Sequence, residues 1–245
     1  MNLRQKQILQ RAECEGEITI KALADVLGVS EMTIHRDVDV LQKQRYVYKK
    51  RGAVVYIENA DRENTDFYAE EKRLIGIKAA SLISDGQSVI FDNSTTAMEC
   101  ARMLDPSKKY TFYATGLETA AILSKYEKSV LYLSGGYYFP ASRGFVGAQA
   151  EAFVSSLKVD VCIVGASGVS VEDGITTPYP MHTPLQKAII AAAKTKILVC
   201  DHSKFDKVAM EKICELGDID VIVTDSEILE DTYQYYHQYV ELIKA

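Results

Sequence analysis

The pattern of apolar and polar positions divides the chain into a short helical opening and a long alternating body. In "LRQKQILQRAEC", residues 3–14, Leu3, Ile8, Leu9 and Ala12 recur at helical spacing, and Gly16 ends the run. "TIKALADVLG", residues 19–28, places Ile20, Leu23, Ala24 and Leu27 on one stripe with Gly28 just past the end. Ser30 then offers a side-chain oxygen to the free amides of a third helix. In that helix Ile34, Val38 and Leu41 fall at i, i+4 and i+7, which predicts a buried stripe. Met32, Arg36 and Lys43 occupy the opposite arc, flanked by Thr33 and His35. "YVYKK" and "GAVVYI" follow, alternating like two strands about a Lys-Arg-Gly turn that carries Lys49, Lys50 and Arg51. Two short helices joined by a glycine-containing turn, a third helix and a hairpin predict a small α+β winged helix-turn-helix unit over residues 1–57.

Residues 58–72 are polar and acidic without apolar period and read as a linker, turning helical from Phe67 onward. The remainder, 73–245, carries short β-branched-rich runs: "SVIFD", "YTFYAT", "SVLYLSGG", "VDVCIVGASG", "KILVCD" and "DVIVTD". Helical stretches at 72–84, 95–104, 117–125, 146–157 and 184–194 separate several of them. That alternation predicts an α/β domain with a mostly parallel sheet. In open sheets of this class the ligand site lies beyond the carboxyl ends of the strands.

Composition narrows the classes. The 245 residues are 47% hydrophobic, with mean hydropathy −0.07, which suits a globular protein with a substantial core. No apolar run reaches the roughly 18 residues of a membrane span. The start, "MNLRQKQILQR", has no charged-then-apolar leader, so a cytoplasmic protein without membrane partners is expected. Cys14, Cys100, Cys162, Cys200 and Cys214 are scattered and form no CxxC pair, and the four histidines lack ligand spacing. Reduced, mostly buried thiols are expected, with neither metal nor cofactor. The net charge of −6 hides an asymmetry: residues 1–57 hold ten Lys and Arg against seven Asp and Glu, and the rest holds 18 against 27. A basic end on an acidic body suggests two different partners.

The basic end suits double-stranded DNA. A major groove admits one helix, and residues near its start reach base edges, so Arg36 is placed to pair with a guanine or grip a phosphate. Thr33 and the amides near Ser30 suit phosphate oxygens, and Lys49, Lys50 and Arg51 suit the sugar-phosphate backbone. A module of this size covers few base pairs, so a homodimer or homotetramer reading repeated half-sites is expected. In the body, "FDNSTTAMECA" ends a strand at Asp92 and leads through Asn93, Ser94, Thr95 and Thr96 into a helix, an arrangement fit to cradle an anion. Gly135 and Gly136 either let the backbone approach a ligand or merely turn the chain. Gly165, Ser167 and Gly168 follow another strand. Asp201, Ser203 and Lys204 offer a carboxylate for sugar hydroxyls, a donor-acceptor and a cation for phosphate; alternatively Ser203 caps a turn and Lys204 is solvated.

"ITIKALADVLGVSEMTIHRDVDVLQKQRYVYKKRGAV" resembles the winged helix-turn-helix of the DeoR family of bacterial sugar-metabolism regulators. Arg36 and Asp37 match the family's TIRRDL pattern, while His35 replaces the first of its paired arginines. Lys50, Arg51, Gly52 and Ala53 replace its His-Gly-Gly-Ala wing. The resemblance continues through the body, implying a sensor domain related to ribose-5-phosphate isomerase. The family's D-x-GTT loop corresponds to Asp92, Asn93, Ser94, Thr95 and Thr96, with Ser94 in place of glycine. Its paired glycines correspond to Gly135 and Gly136, its G-x-x-G turn to residues 165–168, and its D-x-SKF motif to residues 201–205. In "YPMHTPLQKA", where relatives show an acidic residue followed by a lysine, this chain has His182, Pro184, Gln186 and Lys187, of which Lys187 is the expected ligand contact. The resemblance implies a repressor of a sugar-catabolism operon released by a phosphorylated sugar. Two other readings use the same residues: a sugar-phosphate isomerase or deaminase with Asp92, Asp173 or Asp201 as base, and a winged helix that binds only protein.

Overall fold

The computed structural model describes residues 2–43, 46–56, 68–140 and 142–245. They form two compact units, Met1–Ala69 and Glu70–Ala245.

The first unit runs α1 (Leu3–Glu15), β1 (Glu17–Thr19), α2 (Ile20–Leu27), α3 (Glu31–Lys43), β2 (Val47–Lys50) and β3 (Ala53–Tyr56). Local chemistry sets each boundary. Asn2 and Gln5 cap α1 reciprocally, each side-chain oxygen accepting the other's amide at 2.9 Å. Gly28 ends α2 in the left-handed region, φ 63°, where a side chain would be strained. Ser30 Oγ accepts the Thr33 amide at 3.3 Å at the start of α3. Ile34, Val38 and Leu41 are buried with Ile8, Leu9, Leu23 and Val54.

Leu3 departs from the sequence reading: it is 69% exposed, and Gln5 is buried in its stead. The reason is Asp37, buried on α3, which accepts hydrogen bonds from Gln5 Nε2 at 2.9 Å and Arg4 Nε at 2.5 Å and so sets the roll of α1. β2 and β3 pair antiparallel about Arg51 and Gly52, both at positive φ (44° and 83°), the signature of a two-residue hairpin turn. β1 adds to the far side of β3, a strand the sequence pattern did not predict.

The second unit runs α4 (Ala69–Ser81), β4 (Ser88–Phe91), α5 (Thr95–Met103), β5 (Thr111–Ala114), α6 (Leu117–Leu123), β6 (Val130–Leu133), β7 (Tyr137–Phe139), β8 (Gly144–Val146) and α7 (Ala148–Ser155). It continues with β9 (Val159–Val164), β10 (Gly168–Ser170), β11 (Gly174–Thr177), α8 (Thr183–Ala192), β12 (Ala193–Val199), β13 (Glu211–Cys214), β14 (Val221–Thr224), α9 (Glu230–His237) and β15 (Glu241–Lys244). α4 begins inside the stretch read as linker, so Lys72 is helical; residues 58–67 of that stretch lie outside the described residues.

Seven strands form one all-parallel sheet in the order β15-β14-β12-β9-β4-β5-β6. Both faces are covered: Ile90, Cys162, Leu198 and Ile222 point into one core, and Val89, Phe91, Val161 and Ile163 into the other. The chain builds outward from β4 through β5 to β6, then returns to lay β9 on the other side of β4. Connections therefore leave β4 and β9 in opposite directions and open a crevice at their carboxyl ends. Among the described residues no helix is long and apolar enough to cross a membrane, and no group of His, Cys, Asp and Glu is arranged to hold a metal ion.

Candidate functional site

A cleft of about 270 Å³ occupies that crevice. Asp92, directly after β4, is 1% exposed, and its two oxygens accept the amides of Ser94 at 2.9 Å and Gly165 at 2.8 Å. Burial pushes its carboxyl upward, and these hydrogen bonds oppose the shift. With both oxygens engaged, Asp92 ties the ends of β4 and β9 together and shapes the loop. Ser94 caps α5, its Oγ accepting the Ala97 amide at 3.2 Å. The first-turn amides of Thr95 and Thr96 have no acceptor within the helix and sit at its positive end, in the cleft lining.

Three cations line the same cleft: Lys72, Arg143 and Lys204. Lys72 Nζ donates to Thr95 Oγ1 at 2.9 Å. It can do so because α4 lies close on α5: a Cβ on Gly76, one turn beyond Lys72, would stand 2.7 Å from the Glu99 carbonyl carbon. Arg143 sits in the β7–β8 turn beside Ser142, whose hydroxyl is hydrogen-bonded to His182 Nε2. Gly144 brings this hairpin in; a Cβ there would lie 2.7 Å from the His182 ring and 2.8 Å from the Asn93 side chain. Asn93 Nδ2 in turn donates to the Ser142 carbonyl at 2.5 Å. Among the described residues Asp92 is the one carboxylate of the lining. The arrangement can hold an anion at the start of α5 with a polar body reaching toward Tyr179, His182 and Gln186.

Of the ligand-site residues expected from the sequence, Asp92, Asn93, Ser94, Thr95, Thr96, Gly165, Ser167 and Lys204 come together here, and Gly135, Gly136, Gly168, Lys187, Asp201 and Ser203 do not. Gly135 supplies a turn at φ 68°, while a Cβ on Gly136 would strike the Val146 carbonyl oxygen at 2.5 Å, so that pair serves packing. Gly168 likewise lies under the Lys207 carbonyl oxygen, 2.4 Å from where its Cβ would be. Asp201 and Ser203 make a capped 3-10 turn, the Ser203 amide donating to Asp201 Oδ1 at 3.0 Å. Lys187 is exposed on α8 and stays outside the cleft, because helical periodicity turns His182 and Gln186 inward instead.

In the first unit the arc opposite the buried stripe of α3 is open. Arg36 is exposed, Met32 is 65% exposed, and His35 and Thr33 are partly so. Ser30 Oγ and Thr33 Oγ1 lie 2.9 Å apart, hydrogen-bonded to one another at the helix start. On the wing Lys49 pairs with Asp39 at 2.6 Å and Lys50 with Glu17 at 3.1 Å, while Arg51 is exposed at the turn. The Lys43 side chain lies outside the described residues.

Residues 4–60 match the DeoR-like helix-turn-helix domain, and residues 68–226 match the DeoR C terminal sensor domain. The chain belongs to the DeoR family. It is similar to the transcriptional repressor AccR of Agrobacterium fabrum, 30% identical over 91% of this chain and 89% of that protein. It is also similar to the HTH-type transcriptional repressor GlcR of Bacillus subtilis, 32% identical over 89% of this chain and 86% of that one. Ribose 5-phosphate isomerase A of Methanocaldococcus jannaschii overlaps 56% of this chain and 55% of its own at 18% identity, with a TM-score of 0.42.

Within this DeoR-family chain, sequence reasoning missed Lys72, Ser142, Arg143, Thr177, Tyr179 and Gln186 as cleft residues. Each comes from an element distant in sequence from the 92–96 loop, so no local motif carries the signal. The isomerase reading finds no assembled base. Asp92 has both oxygens taken, and neither Asp173, exposed and hydrogen-bonded with Ser170, nor Asp201, which holds the Ser203 amide through Oδ1, lines the cleft.

Proposed function

We propose that this DeoR-family regulator binds operator DNA through α3 and its wing, represses a sugar-catabolism operon, and is released when a phosphorylated sugar fills the cleft of the second unit. The observation that carries this reading is that three cations, Lys72, Arg143 and Lys204, line one cleft with the start of α5, inside a body that is otherwise strongly acidic. A phosphate dianion is favoured there by free helix amides, hydroxyls and cations at once. The open arc of α3 with Arg36 supports base reading, and the cationic wing supports backbone contacts, which supply most of the affinity. Relatives named as repressors support the sign of regulation. Release requires that the ligand favour one arrangement of the assembly over another. Paired half-sites call for a homodimer or homotetramer.

Fluorescence anisotropy of labelled DNA from the regulator's own operon tests the proposal. Binding should saturate without ligand and be reversed by a sugar monophosphate but not by its unphosphorylated parent. Binding unaffected by every sugar phosphate would remove the effector half of the reading.

A further inference from the structure

The cleft has two chemically different walls. The start of α5 supplies hydroxyls and free amides, and Lys72 closes on it. The opposite wall comes from the β7–β8 turn, the end of β11 with the segment after it, and the start of α8, and carries Ser142, Thr177, Tyr179, His182 and Gln186. Apart from Arg143, this second wall carries no ion among the described residues. Burial pushes the His182 imidazole down to about 4, so near neutral pH it is an uncharged donor-acceptor, held by Ser142.

Gln186 stands out on that wall. Its side chain lines the cleft although the residue is only 9% exposed, and its Oε1 is buried without a hydrogen-bond partner. Buried carboxamides are almost always satisfied, because desolvating one without compensation is unfavourable. Gln186 is one helical turn from His182, whose carbonyl oxygen accepts the Gln186 amide at 2.9 Å, so the backbone fixes where the side chain starts. A residue that only packed at this position would serve better as Leu or Met. A carboxamide makes sense if a ligand completes it.

We propose that Gln186, with the His182–Ser142 pair beside it, is the specificity-determining residue of the cleft, hydrogen-bonding an uncharged hydroxyl of the ligand while the α5 wall holds the phosphate. This rests on the proposed sugar-phosphate function and narrows it: the ligand is a monophosphate of a neutral sugar or polyol, whose hydroxyl donates to Gln186 Oε1. A carboxylate at that end would place acceptor against acceptor, and a second phosphate would meet uncharged groups everywhere on that wall except at Arg143. Discrimination of this kind is strong because the protein group is left unpaired by the wrong ligand.

The test is calorimetry on the full chain with two probes, inorganic phosphate and a panel of neutral hexose and pentose monophosphates, for wild type, Gln186→Met and Gln186→Glu. Gln186→Met removes no hydrogen bond from the unliganded protein, so its thermal midpoint should equal or exceed that of wild type. Its affinity for inorganic phosphate should be unchanged, whereas affinity for the preferred sugar monophosphate should fall about tenfold or more. Gln186→Glu keeps the acceptor and adds charge, so it should weaken both probes but preserve the preference for the sugar monophosphate over phosphate. A Met variant that keeps wild-type sugar-phosphate affinity would overturn the role of Gln186 alone. So would an equal loss for both probes, which would mean a distorted cleft. Wild type binding no sugar monophosphate better than inorganic phosphate would instead overturn the sugar-phosphate reading itself, and this inference with it.

Discussion

The Asp92 carboxylate accepts the Gly165 amide at 2.8 Å and so ties the end of β4 to the end of β9, across the place where the chain reverses its direction of winding. Its other oxygen holds the Ser94 amide at 2.9 Å, which orients the loop into α5. Asp92→Asn keeps the shape but turns one acceptor into a donor facing an N–H. The buried mismatch should cost about 1–3 kcal/mol in urea unfolding. Gly165→Ala should act on the same joint, since its Cβ would meet Ser94 Cβ and Oγ at 2.5 Å. Both variants should lose ligand response while their N-terminal units still bind DNA.

Lys72 and Gly76 form one device. Lys72→Met removes the cation that touches Thr95, and Thr95→Ala removes its partner. Each should give a repressor that binds DNA normally but responds weakly to ligand, read as operator occupancy against sugar-phosphate concentration. Gly76→Ala should reproduce that loss without touching the cleft, because its Cβ would push α4 off the Glu99 backbone. A Gly76→Ala protein with wild-type response would show that the close approach of α4 does not position Lys72.

His182 makes stability depend on pH. Its folded-state value, about 4, lies below the ordinary 6.5 because burial disfavours the imidazolium. Stability from this group is therefore complete above the ordinary value and is lost as pH falls from about 6.5 toward about 4, where the unfolded chain binds the proton first. Thermal midpoints of wild type and His182→Gln, measured across that window, should converge as pH falls. Parallel curves would contradict the burial of a neutral imidazole at this position.

On the DNA side, Arg36→Ala should abolish specific operator binding and leave fold and ligand response intact, since Arg36 faces away from the Ile34, Val38 and Leu41 stripe. Lys50→Ala should instead weaken binding to all sequences alike and lower the salt slope by about one. Lys50 is held by Glu17 at 3.1 Å, an exposed pair of small worth. Glu17→Gln should therefore tighten DNA binding modestly, as gel-shift titrations at two salt concentrations would reveal.

Much of the architecture was legible because periodicity is local. The buried stripe of α3, the hairpin about Arg51 and Gly52, and six of the seven parallel strands follow from the spacing of apolar residues and turn glycines. β15 was missed because "ELIK" is short and mixed with charge, and only pairing with β14 makes it a strand. Leu3 was misread because the roll of α1 is set by Asp37, thirty-odd residues away, through Arg4 and Gln5. The cleft divides the same way. Its 92–96 loop is a contiguous motif, whereas Lys72, Arg143 and Gln186 reach it from α4, the β7–β8 turn and α8. Lys187 and Gln186 are neighbours in sequence, and only the phase of α8 decides which faces the cleft.

The proposed phosphate cradle at the start of α5 is tested most directly by calorimetry with a sugar monophosphate and its free parent. Each charge-assisted hydrogen bond to the phosphate contributes roughly 1.5–3 kcal/mol, so removing two or three should weaken binding by orders of magnitude. The phosphorylated member should bind tightly, with affinity reduced sharply in Thr95→Ala, and the free sugar should bind negligibly. Equal affinity for both members of the pair would contradict the proposed cradle.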